Sequence, residues 1–222
     1  MSIGPVPDLI PTHLSGEHSY VTSRRSTARD LAQIAVFAAL IAAFGLPGRI
    51  NLPFAQGVPI TLQTLGVMLA GAILGARKGF LAVLTFQVLT FAGLPLLAGG
   101  RGGPQWFLSS VSAGFLWGWL PGVALVGLLT GWILPRYRLW LGIAVTAAGG
   151  MVIIYCTGIP VLALKAHLSL ATATHANLAF LPGDAAKVII TALVAKQVHR
   201  AYPGLINTRR PETLTHSTTP LG

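Results

Sequence analysis

The 222-residue sequence predicts an all-α integral membrane protein of six transmembrane helices, on three observations. Hydrophobic residues make up 53% of the chain and charged residues 9%, far from the roughly 25% charged of a soluble protein. No Asp or Glu occurs from Leu31 through Gly183. Along that stretch, apolar runs bounded by charge or by Pro and Gly recur at lengths near the ~20 residues that cross a hydrocarbon core.

The first span, 30–47, opens at Asp30 and carries a stripe of small residues. Ala35, Ala39 and Ala43 recur every four residues, with Ala28, Ala32, Ala38 and Ala42 widening the stripe, so the helix is suited to close approach by a neighbour inside the bundle or by a partner helix. The second span, 60–76, is short and enters through Thr61, Gln63 and Thr64, polar groups fit either for a ligand or for hydrogen-bonded packing. The third, 79–97, carries Gln87 at its middle. The fourth and fifth, 107–134 and 139–165, are long enough to tilt or to kink around Pro121 and Pro160. The sixth, 180–201, opens at Pro182-Gly183 and holds two ionisable residues, Asp184 and Lys187. Residues 1–29 and 203–222 are polar, lack apolar periodicity and are expected as cytoplasmic tails around a membrane domain at 30–202. Ser23-Arg24-Arg25 resembles a twin-arginine export signal, a reading set aside because no hydrophobic pair follows and Asp30 opens the next run.

Six spans put both termini on one side, where 11 of the basic residues then fall against Arg49, Arg101 and Lys165 on the other, which predicts cytoplasmic termini in a plasma membrane. The +10 net charge is thereby a topology signal and an attraction to anionic lipid heads, and no nucleic-acid partner is expected. Trp132, Tyr137 and Trp140 flank Arg136 and Arg138 as interfacial anchors.

The shortage of acids excludes two-metal sites and paired-carboxylate hydrolysis from the membrane region. The single cysteine, Cys156, excludes an internal disulfide and is expected as buried packing. His167 and His175 lack the spacing of a helical zinc pair, so no metal is expected. None of the four lysines precedes Ser or Thr, so a phosphate loop is absent, and no Gly-x-Ser-x-Gly turn or His-Glu-x-x-His helix appears. No catalytic residue is assigned.

Asp184 and Lys187 are what composition leaves unexplained, because an ion near the bilayer centre costs roughly 2.5–3.5 kcal/mol even on insertion scales. At i and i+3 they share a helix face and compensate each other, near the outer mouth. One reading is a structural ion pair at a helix start; the other is a polar ligand site opening outward. The second is favoured by Gly99-Gly100-Arg101-Gly102-Gly103, which offers a cation on a flexible outer loop, and Arg101 suits a carboxylate.

Taken together, Val58-Pro-Ile-Thr-Leu-Gln-Thr-Leu65, Gly93-Leu-Pro95 with the Arg101 loop, and Pro182-Gly-Asp-x-x-Lys187 resemble the BioY family over roughly residues 28–202. These are the biotin-specific substrate-binding S components of energy-coupling factor (ECF) vitamin transporters. The resemblance implies the six-helix S-component fold, biotin as bound substrate with no cofactor, and docking of a first-helix alanine motif, here Ala35, Ala39 and Ala43, onto a transmembrane coupling subunit that works with ATPase subunits. It implies Asp184, Lys187, Arg101 and Gln87 as ligand contacts, without dividing them between ureido ring and carboxylate. The chain departs from the family pattern in its polar tails and in Trp117-Gly-Trp119. An S component for another vitamin, a secondary transporter and an intramembrane enzyme using Asp184 as acid or base are the competing readings.

Overall fold

The protein is described as a computed structural model covering residues 15–49 and 58–206. Its elements are helical: α1 Ser15–Ala43, α2 Gln63–Phe91, α3 Gln105–Leu108, α4 Ala113–Ile133, α5 Leu139–Ala147 continuing through a π-helical segment Ala148–Ile153 into α6 Ile154–Lys165, α7 Leu170–Asn177, a 3-10 turn Leu178–Phe180, and α8 Leu181–Ala201. Among the described residues four stretches are long and apolar enough to cross a membrane: Gln63–Phe91, Ala113–Ile133, Leu139–Lys165 and Leu170–Ala201.

The stretch Gln63–Phe91 is not one straight rod. Gly75 takes φ 80° and ψ 179°, a conformation essentially reserved for glycine, inside an otherwise helical run. A Cβ built on Gly79 would stand 2.8 Å from the carbonyl oxygen of Ala70, nine residues back, whereas in a straight helix residues nine apart are separated by about 13 Å of rise. The chain therefore doubles back, and 63–74 and 76–91 lie side by side as antiparallel arms. The break expected at Arg77-Lys78 thus falls two residues earlier, where the backbone can make the turn.

Helix α4 wedges against both arms through glycine. A Cβ on Gly71 would lie 2.7 Å from the Val123 carbonyl, and Gly127 faces the backbone of Gly75 and Ala76. On its other side Gly114 and Gly118 press on α6 at Thr157, so these helices meet at near-backbone distance, as small residues allow in membranes. The apolar centre is built from Ile41, Val67, Phe86, Trp119, Val123 and Ile154, all buried, with Phe86 and Trp119 ring centroids 5.9 Å apart.

Several boundaries move. Helix α1 starts at Ser15, so half of the expected N-terminal tail is helical; no proline interrupts residues 12–46 to stop it. The third span ends at Phe91 rather than 97, because Gly93 turns to φ 111° and Pro95 follows. The fourth begins at Ala113 rather than 107: Ser110 Oγ accepts from the Ser112 backbone N–H at 3.2 Å and pairs with Ser112 Oγ at 2.8 Å, competing with helical bonding. In the fifth span the departure from α geometry lies at the Gly149-Gly150 π segment and not at Pro160, since these two glycines let the chain press on Gly122, Val126 and Met68.

Two side chains face otherwise than expected. Cys156 is exposed, not buried: an apolar run in a membrane meets lipid as readily as protein, so hydrophobicity does not report which. Trp132 and Trp140 are 79% and 62% exposed, as anchors would be, but Tyr137 turns inward against Gly142 and the His199 ring, and burial pushes its phenol up to about 12.

Candidate functional site

At the end of the bundle where α2, α4 and α8 begin, these helices, the π segment and the 93–104 loop enclose a cavity of about 80 Å³. Its apolar walls include Phe115, Leu116, Trp119 and Phe180; its polar groups are Thr61, Gln63, Thr64, Arg101, Ser112, Tyr155, Asp184 and Lys187.

The core of the polar set is one network. Lys187 Nζ donates to Asp184 Oδ1 at 2.8 Å and to Thr64 Oγ1 at 2.9 Å, and Tyr155 OH donates to Asp184 Oδ2 at 2.7 Å. Asp184 is 9% exposed and Lys187 6%. The helix dictates this placing: Pro182 in the first turn of α8 starts it, Asp184 stands near the positive end of its dipole, and Lys187 follows one turn on along the same face. Each carboxylate oxygen has accepted one bond and keeps a lone pair, while the Thr64 hydroxyl proton and one ammonium proton remain to be donated. The network can therefore take a ligand carrying both N–H donors and a carbonyl acceptor.

Arg101 sits above it on a structured turn and not on a flexible loop. Gly99 and Gly100, at φ 80° and 68°, reverse the chain so that Leu97 and Arg101 exchange backbone bonds at 2.9 and 3.1 Å. Arg101 Nε donates to the Ala98 carbonyl at 2.8 Å, and its guanidinium lies 4.4 Å from the Trp106 ring centroid. Among the described residues it forms no ion pair. Desolvation by burial, and after it the nearby charge of Arg49, lower its pKa, so its cation stands in a setting that an added anion would relieve.

The other expected positions divide. Gln63, 1% exposed, is fully engaged as a clasp: its amide donates to the carbonyls of Leu96 at 2.9 Å and Ile41 at 3.3 Å and accepts from Ala98 N–H at 3.0 Å, tying α1, α2 and the Arg101 turn together. Gln87 does not line the cavity; its amide donates to the Leu116 carbonyl at 2.5 Å, joining the second arm of α2 to α4. Ala35, Ala39 and Ala43 are exposed on α1, while Ala38 of the same stripe turns inward to the core with Ile41. His167 and His175 are exposed and lie outside the cavity wall.

Tyr155 and Trp119 belong to the site and were not singled out as ligand positions. A tyrosine ten positions from the nearer end of the expected fifth span is too deep for an interfacial anchor, and that depth is the signal that marks Tyr155. Trp119, noted only as a departure from pattern, is 4% exposed on the wall, and its indole N–H has no hydrogen-bond partner among the described residues.

Comparison with known proteins gives one consistent family. The model of the BioY family matches residues 18–204. The chain is 43% identical over 182 residues to the biotin transporter BioY of Rhizobium etli, covering 80% of this chain and 96% of that protein. It is 45% identical over 195 residues to the biotin transporter BioY of Rhodobacter capsulatus, covering 82% and 98%. The crystal structure of the S-component for biotin from an ECF-type ABC transporter superposes with a TM-score of 0.75 at 30% identity, covering 79% of this chain and 93% of that one.

Proposed function

The chain belongs to the BioY family, and we propose that it is the membrane-embedded, biotin-binding substrate subunit of an ECF-type transporter for biotin uptake, with no catalytic chemistry of its own. The observation that carries this reading is the buried Asp184–Lys187–Thr64–Tyr155 network below an arginine that makes no ion pair among the described residues. Biotin carries a ureido ring, with two N–H donors and one carbonyl, and a carboxylate on a flexible chain. The ureido ring suits the buried network, where Asp184 accepts from N–H and Thr64 or Lys187 donates to the carbonyl. The carboxylate belongs with Arg101, because an anion brought beside Asp184 would be repelled. Trp119, Phe115 and Phe180 supply apolar wall for the fused rings.

A cavity of about 80 Å³ is tighter than the roughly 300–1,000 Å³ of ordinary small-molecule sites, so binding must move wall elements, and the Val58–Ile60 entry and the Arg101 turn are the parts tied by fewest helical bonds.

The finer architecture is part of the same proposal: six crossings, made by α1, the two arms of α2, α4, α5 with α6, and α8, with both termini in the cytoplasm of the cell. The reversal at Gly75 and the gathering of Arg77, Lys78, Arg136, Arg138 and Arg200 away from the Asp184 end support it. The exposed Ala35, Ala39 and Ala43 face is the contact for a transmembrane coupling subunit, itself driven by ATPase subunits.

The substrate assignment is tested by identifying small molecules extracted from the full chain purified from cells. Biotin, released in proportion to protein, is the expected result. A different vitamin at that ratio would overturn the substrate while leaving the fold and family untouched.

A further inference from the structure

At the end of the bundle opposite Asp184, α1, the reversal of α2, the end of α4 and residues 204–206 surround a second and larger cleft of about 780 Å³. We propose that it binds the phosphate group of an anionic phospholipid. Gly75, Gly127 and Gly131 are among its lining residues: Gly127 lets α4 meet the backbone of Gly75 and Ala76, and Gly131 has only Ile206 near its Cβ direction. Arg29, Arg77 and Lys78 line it against one acid, Asp30. Asp30 pairs with Lys78 at 3.3 Å, and Lys78 also donates to Gln33 Oε1 at 2.7 Å. Among the described residues neither Arg29 nor Arg77 forms an ion pair, and the one acid lining the cleft, Asp30, is paired with Lys78, so three basic side chains there face a single carboxylate. Guanidinium forks match phosphate oxygens bidentately.

The rest of the rim selects a lipid over a soluble anion. Leu128 and Trp132, one turn apart on the outer face of α4, are 51% and 79% exposed and form an apolar lip. A phosphate held by Arg29 and Arg77 would thus leave acyl chains running along Leu128 and Trp132, in the geometry of a basic inter-helix pocket opening sideways to the bilayer. The proposal does not depend on biotin, whose site lies at the other end.

Native mass spectrometry of the full chain in detergent, titrated with phosphatidylglycerol or phosphatidylcholine, reads the site directly. The unmodified chain is expected to retain phosphatidylglycerol over phosphatidylcholine by about tenfold, the scale set by one to two arginines at an anionic surface. Arg29→Gln with Arg77→Gln is expected to abolish the preference. Arg136→Gln with Arg138→Gln removes the same charge from outside the cleft and is expected to leave it intact. Biotin titration of each variant checks that it has folded, and Trp132→Ala, which leaves the charges alone, is expected to weaken lipid retention and to make the lipid easier to displace by inorganic phosphate. Equal retention of the two lipids by the unmodified chain would overturn the proposal. So would equal losses in the two double variants, which would reduce the effect to general surface charge, or displacement of the lipid by inorganic phosphate at matched concentration, which would make the cleft a soluble-anion site.

Discussion

Asp184, Lys187 and Arg101 do different work because they sit at different depths. Removing either member of a buried ion pair leaves its partner desolvated and uncompensated, so Asp184→Ala and Lys187→Ala are each expected to weaken biotin binding by roughly 3–5 kcal/mol, about two to three and a half decades in affinity. Arg101→Ala is expected to lose one charge-assisted contact, ~1.5–3 kcal/mol, and to come last in the order. Calorimetry on the three variants decides it; Arg101→Ala as the most damaging change would reverse the assignment. A companion measurement separates the ends of the ligand: biotin methyl ester, which lacks the carboxylate charge, is expected to bind the unmodified chain more weakly than biotin, and Arg101→Ala to bind the two alike. These three residues were legible because each is a charge where composition offers almost none. Tyr155, Trp119 and the clasp made by Gln63 were not, since an aromatic or amide in an apolar run reads equally as packing until its partners are known. Gln87 shows the same ambiguity: a mid-span amide suits a ligand role, and in this structure its Nε2 donates to the Leu116 carbonyl across the helix interface.

At the scale of elements the bundle depends on glycines that are not interchangeable. Gly75→Ala would force a Cβ onto φ 80° and ψ 179°, at a cost of about 1–3 kcal/mol, with Ile206 only 3.2 Å from the new carbon. Gly183 lies in α8 with nothing within 4 Å of its Cβ direction, so Gly183→Ala is expected to stabilise by up to ~1 kcal/mol. Thermal unfolding of the two variants in detergent should shift in opposite directions, and a neutral Gly75→Ala would remove the reversal from the account. The alanine face behaves in a third way. Ala39 is exposed, so Ala39→Leu is expected to leave unfolding and biotin binding unchanged while abolishing co-purification with a coupling subunit; joint loss of folding and ligand would return the stripe to internal packing. Helices and the breaks between them were readable from apolar runs punctuated by charge, Gly and Pro. Exact ends were not, because serine bonding at 110–112 and the turns at Gly75 and Gly93 are settled by local backbone geometry that hydropathy does not encode. Which face of each helix meets lipid was equally hidden, as Cys156 and Tyr137 attest: in a membrane both faces can be apolar.

The molecule as a whole is polarised, with its buried ligand-type network at one end and most of its basic residues at the other. That asymmetry predicts sidedness: in a Cys156→Ser background, Ser26→Cys and Thr213→Cys are expected to resist an impermeant reagent applied to intact cells, while Ser169→Cys reacts. Labelling of either tail would invert the topology. The sequence carries no phosphate-loop motif, and with ATP hydrolysis assigned to partner subunits, vesicles containing this chain alone are expected not to concentrate biotin against its gradient. Accumulation driven by a proton gradient alone would make it a secondary transporter. Beneath these consequences lies one claim, that the cavity around Asp184 and Lys187 is a biotin site. Calorimetric titration of the purified full chain with biotin, beside Asp184→Asn, tests it most directly. One tightly bound biotin per chain is expected, with affinity at least two decades weaker in the variant, for a polar group left unpaired in a buried network; no heat of binding in the unmodified folded chain, or equal affinity in the two, would rule the site out.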